Sequence, residues 1–195
     1  MDIVGYIEIF AMVTGVAYLV LEVLQKNAMW VVGILTASAC AYSFSVQQSW
    51  GMMGLNLYYV VMSVVGLIRW RRDGARVGEG VIHLHPLPRK TALWSAVAFV
   101  AGSLLLIALL RYLGDGASTL DAVATVLSVI ATWWLACSYL QQWVLWIVAD
   151  ILTTLLCLTT GQYWLAFLYV AYIVSAVYGY FHWKRNGVWI KEKQA

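Results

Sequence analysis

The chain contains seven apolar runs, each close to the roughly 20 residues that a helix needs to cross a membrane. Inside lipid the backbone must satisfy its own hydrogen bonds, so runs of this length fold as α-helices. Composition agrees, because 63% of the residues are hydrophobic and only 11% are charged. We therefore predict an all-α integral membrane protein with spans at 4–24, 29–46, 51–69, 92–112, 121–139, 142–160 and 163–182.

Lysine and arginine are distributed unevenly around these runs. Of the 12 such residues, all except Arg111 follow spans one, three and seven. These three segments share one side in a seven-span chain, and the positive-inside rule makes that side cytoplasmic. We therefore predict an outer amino terminus and a cytoplasmic carboxyl terminus. The net charge of +3 then reflects topology, and no nucleic-acid partner is expected.

The sequence also repeats itself after 113 positions. This step pairs Trp30 with Trp143, and it aligns two copies of a GxxxWxRxG pattern that begin at Gly66 and Gly179. Each copy holds three spans, so one further span must separate them if both enter the membrane in the same direction. We predict a parallel repeat of three plus one plus three helices. Its segments are a first repeat at 1–74, a cytoplasmic loop at 75–91, a linking helix with an outer loop at 92–120, a second repeat at 121–187 and a cytoplasmic tail at 188–195.

The segment WVLWIVAD in span six holds the main candidate site. Trp143, Trp146 and Asp150 lie at i, i+3 and i+7, on one face of a helix. An ionisable group deep in the bilayer is costly and normally faces a partner, water or a substrate. Indole rings offer π faces to a cation. We predict a site for a cationic aromatic molecule, the alternative being a packed polar contact in the bundle core.

Polar and aromatic residues in other spans add candidates. Asn56 and Tyr59 share a face of span three and could orient a ligand, although Asn56 could instead join two helices. Glu22, near the end of span one, either faces the substrate or pairs with Lys26 one turn later. Two further candidates have interfacial or packing roles as their alternatives, Trp30 and Tyr172.

Other function classes lack the residues they require. A retinal protein needs a lysine deep in a helix, but every lysine here lies at a span end or in a loop. No nucleotide-binding loop is visible, which argues against ATP-driven transport. The pair His83 and His85 offers too few ligands for a metal, so no cofactor is predicted. A membrane-embedded enzyme remains an alternative, although no nucleophile stands beside a base.

Three stretches resemble the Pnu-type vitamin transporters, the PnuC family: YLVLEVLQKNAMWVVGILTASACAY, MGLNLYYVVMSVVGLIRW and WVLWIVAD. That family is similar in fold to the SWEET sugar transporters. The resemblance implies a vitamin carrier of a bacterial inner membrane that works by facilitated diffusion, with the vitamin trapped inside the cell by phosphorylation. It also implies a homotrimer.

Two positions bear on the substrate that this resemblance implies. The resemblance aligns Asp150 and Thr36 with positions where the nicotinamide riboside carriers of the family typically have asparagine. Together with Glu22 and the segment QKNAMWVVGILT, these departures resemble the thiamine-transporting PnuT branch more closely. The resemblance therefore implies thiamine as the substrate, with nicotinamide riboside as the alternative. Both vitamins are cations, so a carboxylate alone does not separate them.

Overall fold

Helices make up most of the computed structural model, which describes residues 3–78, 80–112 and 119–190. Within these ranges the elements, in chain order, are α1 (Ile3–Val23), α2 (Ala28–Val46), α3 (Trp50–Val77), β1 (His83–Leu84), α4 (Arg89–Tyr112), α5 (Thr119–Ala136), α6 (Gln142–Thr159), α7 (Tyr163–Asn186) and β2 (Val188–Trp189). Part of the predicted outer loop, 113–118, and part of the predicted tail, 191–195, lie outside the described residues.

Six helices, α2 to α7, have the length and apolar composition of membrane spans. The first helix contributes a shorter apolar stretch, Val13–Val23. These six helices, α2 to α7, coincide with predicted spans, because a backbone in lipid has to bond within its own segment. The prediction of an all-α membrane protein is confirmed.

Three predicted spans end three or more residues away from the carboxyl end of the corresponding helix. Helix α3 continues past position 69 to Val77 and stops at Gly78, whose φ of 111° is a conformation that glycine tolerates. Helix α7 continues past position 182 to Asn186. Both extensions carry basic residues, which can remain helical while their charges reach water. Helix α5 stops at Ala136 rather than at 139, because Ser138 turns to a φ of 55°.

Four of these helices, α1, α2, α5 and α6, end in the same kind of turn. The second residue after the end of each helix has a left-handed backbone. Its N–H and the N–H of the next residue donate to carbonyls in the last turn of the helix, as in the Schellman motif. After α1 the bonds run from Gln25 to Glu22 and from Lys26 to Leu21. After α5 they run from Ser138 to Leu135 and from Tyr139 to Trp134, each 113 positions later. The other two left-handed residues, also 113 apart, are Gln48 and Gly161.

The chain divides into two compact units. Unit 1 is Met1–His83 with Asn186–Ile190, and unit 2 is Leu84–Arg185 with Lys191–Ala195. Helices α1 to α3 lie in unit 1, whereas α4, the predicted linking helix, lies in unit 2 with α5, α6 and nearly all of α7. In unit 1 the Val188 N–H donates to the Ile82 carbonyl at 2.7 Å, which places β2 beside β1.

Each unit packs one tryptophan directly onto a glycine. In unit 1 the Trp30 indole lies where a Cβ on Gly66 would be, and its ring meets Trp70 edge-on with centroids 5.0 Å apart. In unit 2 the Trp143 indole lies where a Cβ on Gly179 would be, and its ring meets Trp183 edge-on with centroids 5.2 Å apart. Burying large aromatic area against a side-chain-free helix surface stabilises both units.

Candidate functional site

Two of the three tryptophans predicted for the site, Trp143 and Trp30, are core residues of their units. Trp30 is 0% exposed and Trp143 is 2% exposed. Their ring surfaces are occupied by the glycine and the second indole just described. The Nε1 atoms of both are buried and have no hydrogen-bond partner among the described residues. Their contact with a ligand therefore stays a prediction, whereas the structure shows their packing in the core of each unit directly.

Asp150 lies deep in α6, where it is 8% exposed. Its carboxylate accepts no hydrogen bond and forms no ion pair within the described residues, although its main-chain carbonyl accepts a bond from the Thr154 hydroxyl at 2.7 Å. An uncompensated carboxylate in a low-dielectric setting is strongly unfavourable. This position is therefore suited to a ligand that brings positive charge.

Two tyrosines of α7 accompany this carboxylate. Tyr169 and Tyr172 both interact electrostatically with Asp150, and their rings meet edge-on with centroids 5.6 Å apart. Trp146 lies one turn before Asp150 on α6 and is half-buried, with a buried Nε1 that has no partner in the described chain. We call Asp150, Trp146, Tyr169 and Tyr172 the Asp150 cluster. It combines a negative charge, phenol hydroxyls and an indole, which are the groups that bind an aromatic cation.

Unit 1 contains a second carboxylate with tyrosines. Glu22 is 3% exposed, and Tyr18, one turn earlier on α1, interacts electrostatically with both Glu22 and Tyr59 of α3. Lys26 is exposed and forms no ion pair with any described residue. The alternative in which Glu22 pairs with Lys26 is therefore not what the structure contains, and Glu22 belongs to a polar group of α1 and α3.

Asn56 and Thr36 bond within unit 1. The Asn56 Nδ2 donates to the Met52 carbonyl at 2.8 Å, along its own helix. The Thr36 hydroxyl donates to the Thr14 hydroxyl at 2.8 Å, which joins α2 to α1. The Thr36 bond joins two helices, whereas the Asn56 bond stays within α3 and does not supply the link between helices that was its alternative role. Their predicted role in binding is not tested by these bonds.

Gln142, the first residue of α6, was missed by sequence reasoning. Its side chain is 0% exposed, and neither its Nε2 nor its Oε1 has a partner among the described residues. An amide buried in this way is costly unless something else bonds to it. The available signal was spacing, because Gln142, Trp146 and Asp150 stand at i, i+4 and i+8 on α6.

Comparison with known proteins gives consistent matches over nearly the whole chain. A family model described as nicotinamide mononucleotide transporter matches residues 5–185. A relative from Neisseria mucosa, named nicotinamide riboside transporter PnuC, is 33% identical over 186 residues, covering 90% of this chain and 70% of the relative. Another of the same name, from Haemophilus influenzae, is 27% identical over 184 residues, covering 93% and 80%.

A solved structure is also similar. It is titled crystal structure of the vitamin B3 transporter PnuC, is 31% identical, and aligns with a TM-score of 0.71 over 93% of this chain and 81% of that one. These names attach nicotinamide riboside or vitamin B3 to the relatives. The predicted thiamine branch and the predicted homotrimer find no support in them.

Proposed function

This chain belongs to the nicotinamide mononucleotide transporter family, and we propose that it carries nicotinamide riboside across the membrane by facilitated diffusion. The names of the relatives favour the riboside over thiamine, so the alternative substrate becomes the main one. The observation that carries the proposal is Asp150, a buried carboxylate without a partner in the described chain, within electrostatic range of two tyrosines.

The chemistry of the ligand fits this cluster. Nicotinamide riboside has a positively charged pyridinium ring, which balances the Asp150 carboxylate and presents a flat face to the Trp146 indole. Its ribose hydroxyls and carboxamide can bond to phenol hydroxyls such as those of Tyr169 and Tyr172. Binding thus replaces an unfavourable isolated charge with a charge-assisted contact that is shielded from water.

Facilitated diffusion is what the family resemblance implies, and the Asp150 cluster is compatible with it. A site that stabilises the cation equally from either side of the membrane lowers the barrier to crossing but does not move the equilibrium. Phosphorylation inside the cell would then trap the vitamin, as the family resemblance implies. We place the protein in a bacterial inner membrane, with the basic ends of α1, α3 and α7 in the cytoplasm.

We also propose that the architecture arose by duplication, with repeats at 1–74 and 121–187 and α4 as the linking helix. Support comes from the paired left-handed turns and from the two tryptophans packed on glycines, all 113 positions apart. Both features involve backbone geometry that chance apolar similarity does not produce.

One experiment tests the substrate. Purified protein is titrated with nicotinamide riboside, thiamine and neutral nicotinamide, and tryptophan fluorescence is followed. We expect a response to the riboside at the lowest concentration and the weakest response to nicotinamide, which lacks the charge. Thiamine binding more tightly than the riboside would reassign the substrate. In liposomes the riboside should equilibrate and exchange, and uptake that collapses with a sodium or proton ionophore would contradict uncoupled diffusion.

A further inference from the structure

Unit 1 contains a cavity that is not lined by its buried carboxylates, Glu22 and Asp73. It has a volume of about 650 Å³ and lies where the α1–α2 connection, the last turns of α3 and the segment before β1 come together. Among its lining residues are Gln25, Lys26, Asn27, Trp70, Arg71 and His83. Lys26, Asn27 and Arg71 are exposed, so the cavity is open to solvent.

The cavity is positively charged. Lys26 and Arg71 line it, whereas no Asp or Glu is among the described lining residues. Neither cation forms an ion pair with a described residue. Three acids are close by in sequence: Asp73, Glu22 and Glu79. Asp73 is 2% exposed and lies 3.9 Å from Arg76, which is not a lining residue, Glu22 is 3% exposed, and Glu79 lies outside the described residues. Two cations with unused hydrogen-bond donors therefore face the same space.

One wall of the cavity is held in place by a reciprocal pair of hydrogen bonds. The Gln25 Nε2 donates to the His83 carbonyl at 3.0 Å, and the His83 N–H donates to the Gln25 Oε1 at 2.7 Å. The buried His83 ring then meets the Trp70 indole edge-on, with centroids 5.8 Å apart. This wall is therefore fixed before any ligand arrives, which reduces the entropy lost on binding.

The start of α2 adds to the positive potential. Asn27 is the N-cap residue of α2, lines the cavity, and makes no side-chain capping bond. Its amide is available to a ligand, and the helix N-terminus favours an anion. A lysine, an arginine and a helix start are the groups that bind phosphate in proteins.

We propose that this cavity binds a phosphate ester. A bare phosphate ion would leave most of about 650 Å³ empty, whereas a phosphate carrying an organic group fits the range of small-molecule sites. Unit 2 keeps one of the two cations, because Arg71 corresponds to Lys184, but Lys26 and Asn27 correspond to Tyr139 and Leu140, both buried. The basic cavity is thus a feature of unit 1 and is not required by the repeated fold.

The ester can come from a soluble nucleotide or from the head group of an anionic phospholipid. For the soluble source, full-length protein in phosphatidylcholine nanodiscs is titrated calorimetrically with nicotinamide mononucleotide and with nicotinamide riboside, which differ only in the phosphate. For the lipid source, phosphatidylglycerol is added to the discs, and the lipids retained per chain are counted by native mass spectrometry.

Two variants alter the cavity in independent ways. Lys26→Gln with Arg71→Gln removes the charge, and Gly74→Leu fills the space, since a Cβ on this helical lining residue meets nothing within 4 Å. Both should weaken mononucleotide binding, or phosphatidylglycerol retention, by roughly tenfold or more. The control double variant, Arg72→Gln with Lys90→Gln, removes the same charge from residues that do not line the cavity. It should change mononucleotide binding or phosphatidylglycerol retention by less than about twofold.

Riboside binding to the same variants separates this proposal from the proposed function. It should stay at the wild-type level in all three, which also shows that they fold. If the mononucleotide binds and the cavity variants weaken it while the riboside does not bind at all, the phosphate site stands and the transport proposal fails. Equal mononucleotide and lipid binding in wild type, cavity variants and control would overturn the phosphate site.

Discussion

Units 1 and 2 share their backbone turns and their packing but differ in the placement of charge. The residues that hold the fold keep their identity across the step of 113 positions, as with Trp30 and Trp143. The two candidate-site carboxylates are not kept, because Glu22 corresponds to Leu135 and Asp150 corresponds to Ala37. Packing constraints are therefore the same in both units, whereas the groups available to a ligand are different.

Side-chain size is also inverted between the units. Gly33 of α2 lies so close to Ser63 and Tyr18 that a Cβ there would be 2.8 and 3.2 Å from their nearest atoms. In unit 2 the position of Gly33 holds Trp146, and the positions of Tyr18 and Ser63 hold alanines 131 and 176. The large side chain therefore stands on α6 in unit 2, whereas in unit 1 the larger side chains stand on α1 and α3.

The largest effect should come from removing the charge at Asp150, a position that holds Ala37 in unit 1. Asp150→Asn keeps the shape of the side chain and installs the amide that the family resemblance places there in riboside carriers, so the size of the loss tells whether this chain uses a charge where they use an amide. We expect it to weaken riboside binding by about 2 to 5 kcal/mol, the usual result of truncating a buried charged pair. Calorimetric titration measures the loss, which corresponds to roughly thirtyfold to several thousandfold.

The matched control is Asp121→Asn, the same change at an exposed acid at the start of α5. It should bind the riboside as wild type does. If Asp150→Asn also binds normally but unfolds at a lower temperature, Asp150 is a structural residue and the contrast in charge between the units has no role in binding.

The next effect tests what the units share. Gly66→Ala and Gly179→Ala each place a Cβ inside an indole ring, so each should destabilise the protein by about 1 to 3 kcal/mol. Thermal unfolding in detergent should show similar losses for the two variants. Gly54→Ala, on α3 with nothing within 4 Å of its Cβ, is the control and should be neutral or slightly stabilising. A loss confined to one unit would break the equivalence.

A smaller effect is expected at Trp146, which occupies the position that Gly33 has in unit 1. Trp146→Leu should weaken riboside binding by about 0.5 to 2 kcal/mol through loss of a cation–π contact. The control is Trp133→Leu, at an indole of α5 that is 40% exposed, and riboside affinity should not change. Equal losses in both variants would point to a general effect on folding.

The smallest effect concerns the turns that end α2 and α6. Gln48 has a φ of 57° where unit 2 has Gly161, so Gln48→Gly should stabilise the protein by about 1 kcal/mol by relieving left-handed strain. The reciprocal Gly161→Gln should lower stability by a similar amount. Gln47→Gly, at a φ of −79°, gives no such relief and should not stabilise. Thermal unfolding of the three variants decides whether the turns are equivalent.

The sequence predicted the helices well and their ends less well, for physical reasons. Lipid requires a helix wherever an apolar run is long enough, which fixes the existence of a span. It does not fix where a helix stops in water, so the extension of α3 to Val77 could not be read from hydropathy. The turn at Ser138 could not be predicted either, because serine does not indicate a left-handed conformation as glycine does.

For the candidate site, polarity was informative and aromaticity was not. A carboxylate in an apolar run points to a special environment, and Asp150 is indeed buried without a partner in the described ranges. Tryptophan suits both ligands and cores, so its spacing on α6 could not distinguish Trp146 from Trp143. The distinction depends on Gly179, a residue on another helix. Gln142 was overlooked because glutamine is ordinary at the start of a span.

The tryptophan and glycine pairs also restrict how this protein can change in length during evolution. Each pair is separated by the same number of residues, from Trp30 to Gly66 and from Trp143 to Gly179. Inserting one residue into a helix turns everything beyond it by about 100°, which would carry the glycine away from its indole. Insertions and deletions within the helical parts of these intervals should therefore be rare in natural variants, and length variation should accumulate in the connections and outside the two intervals.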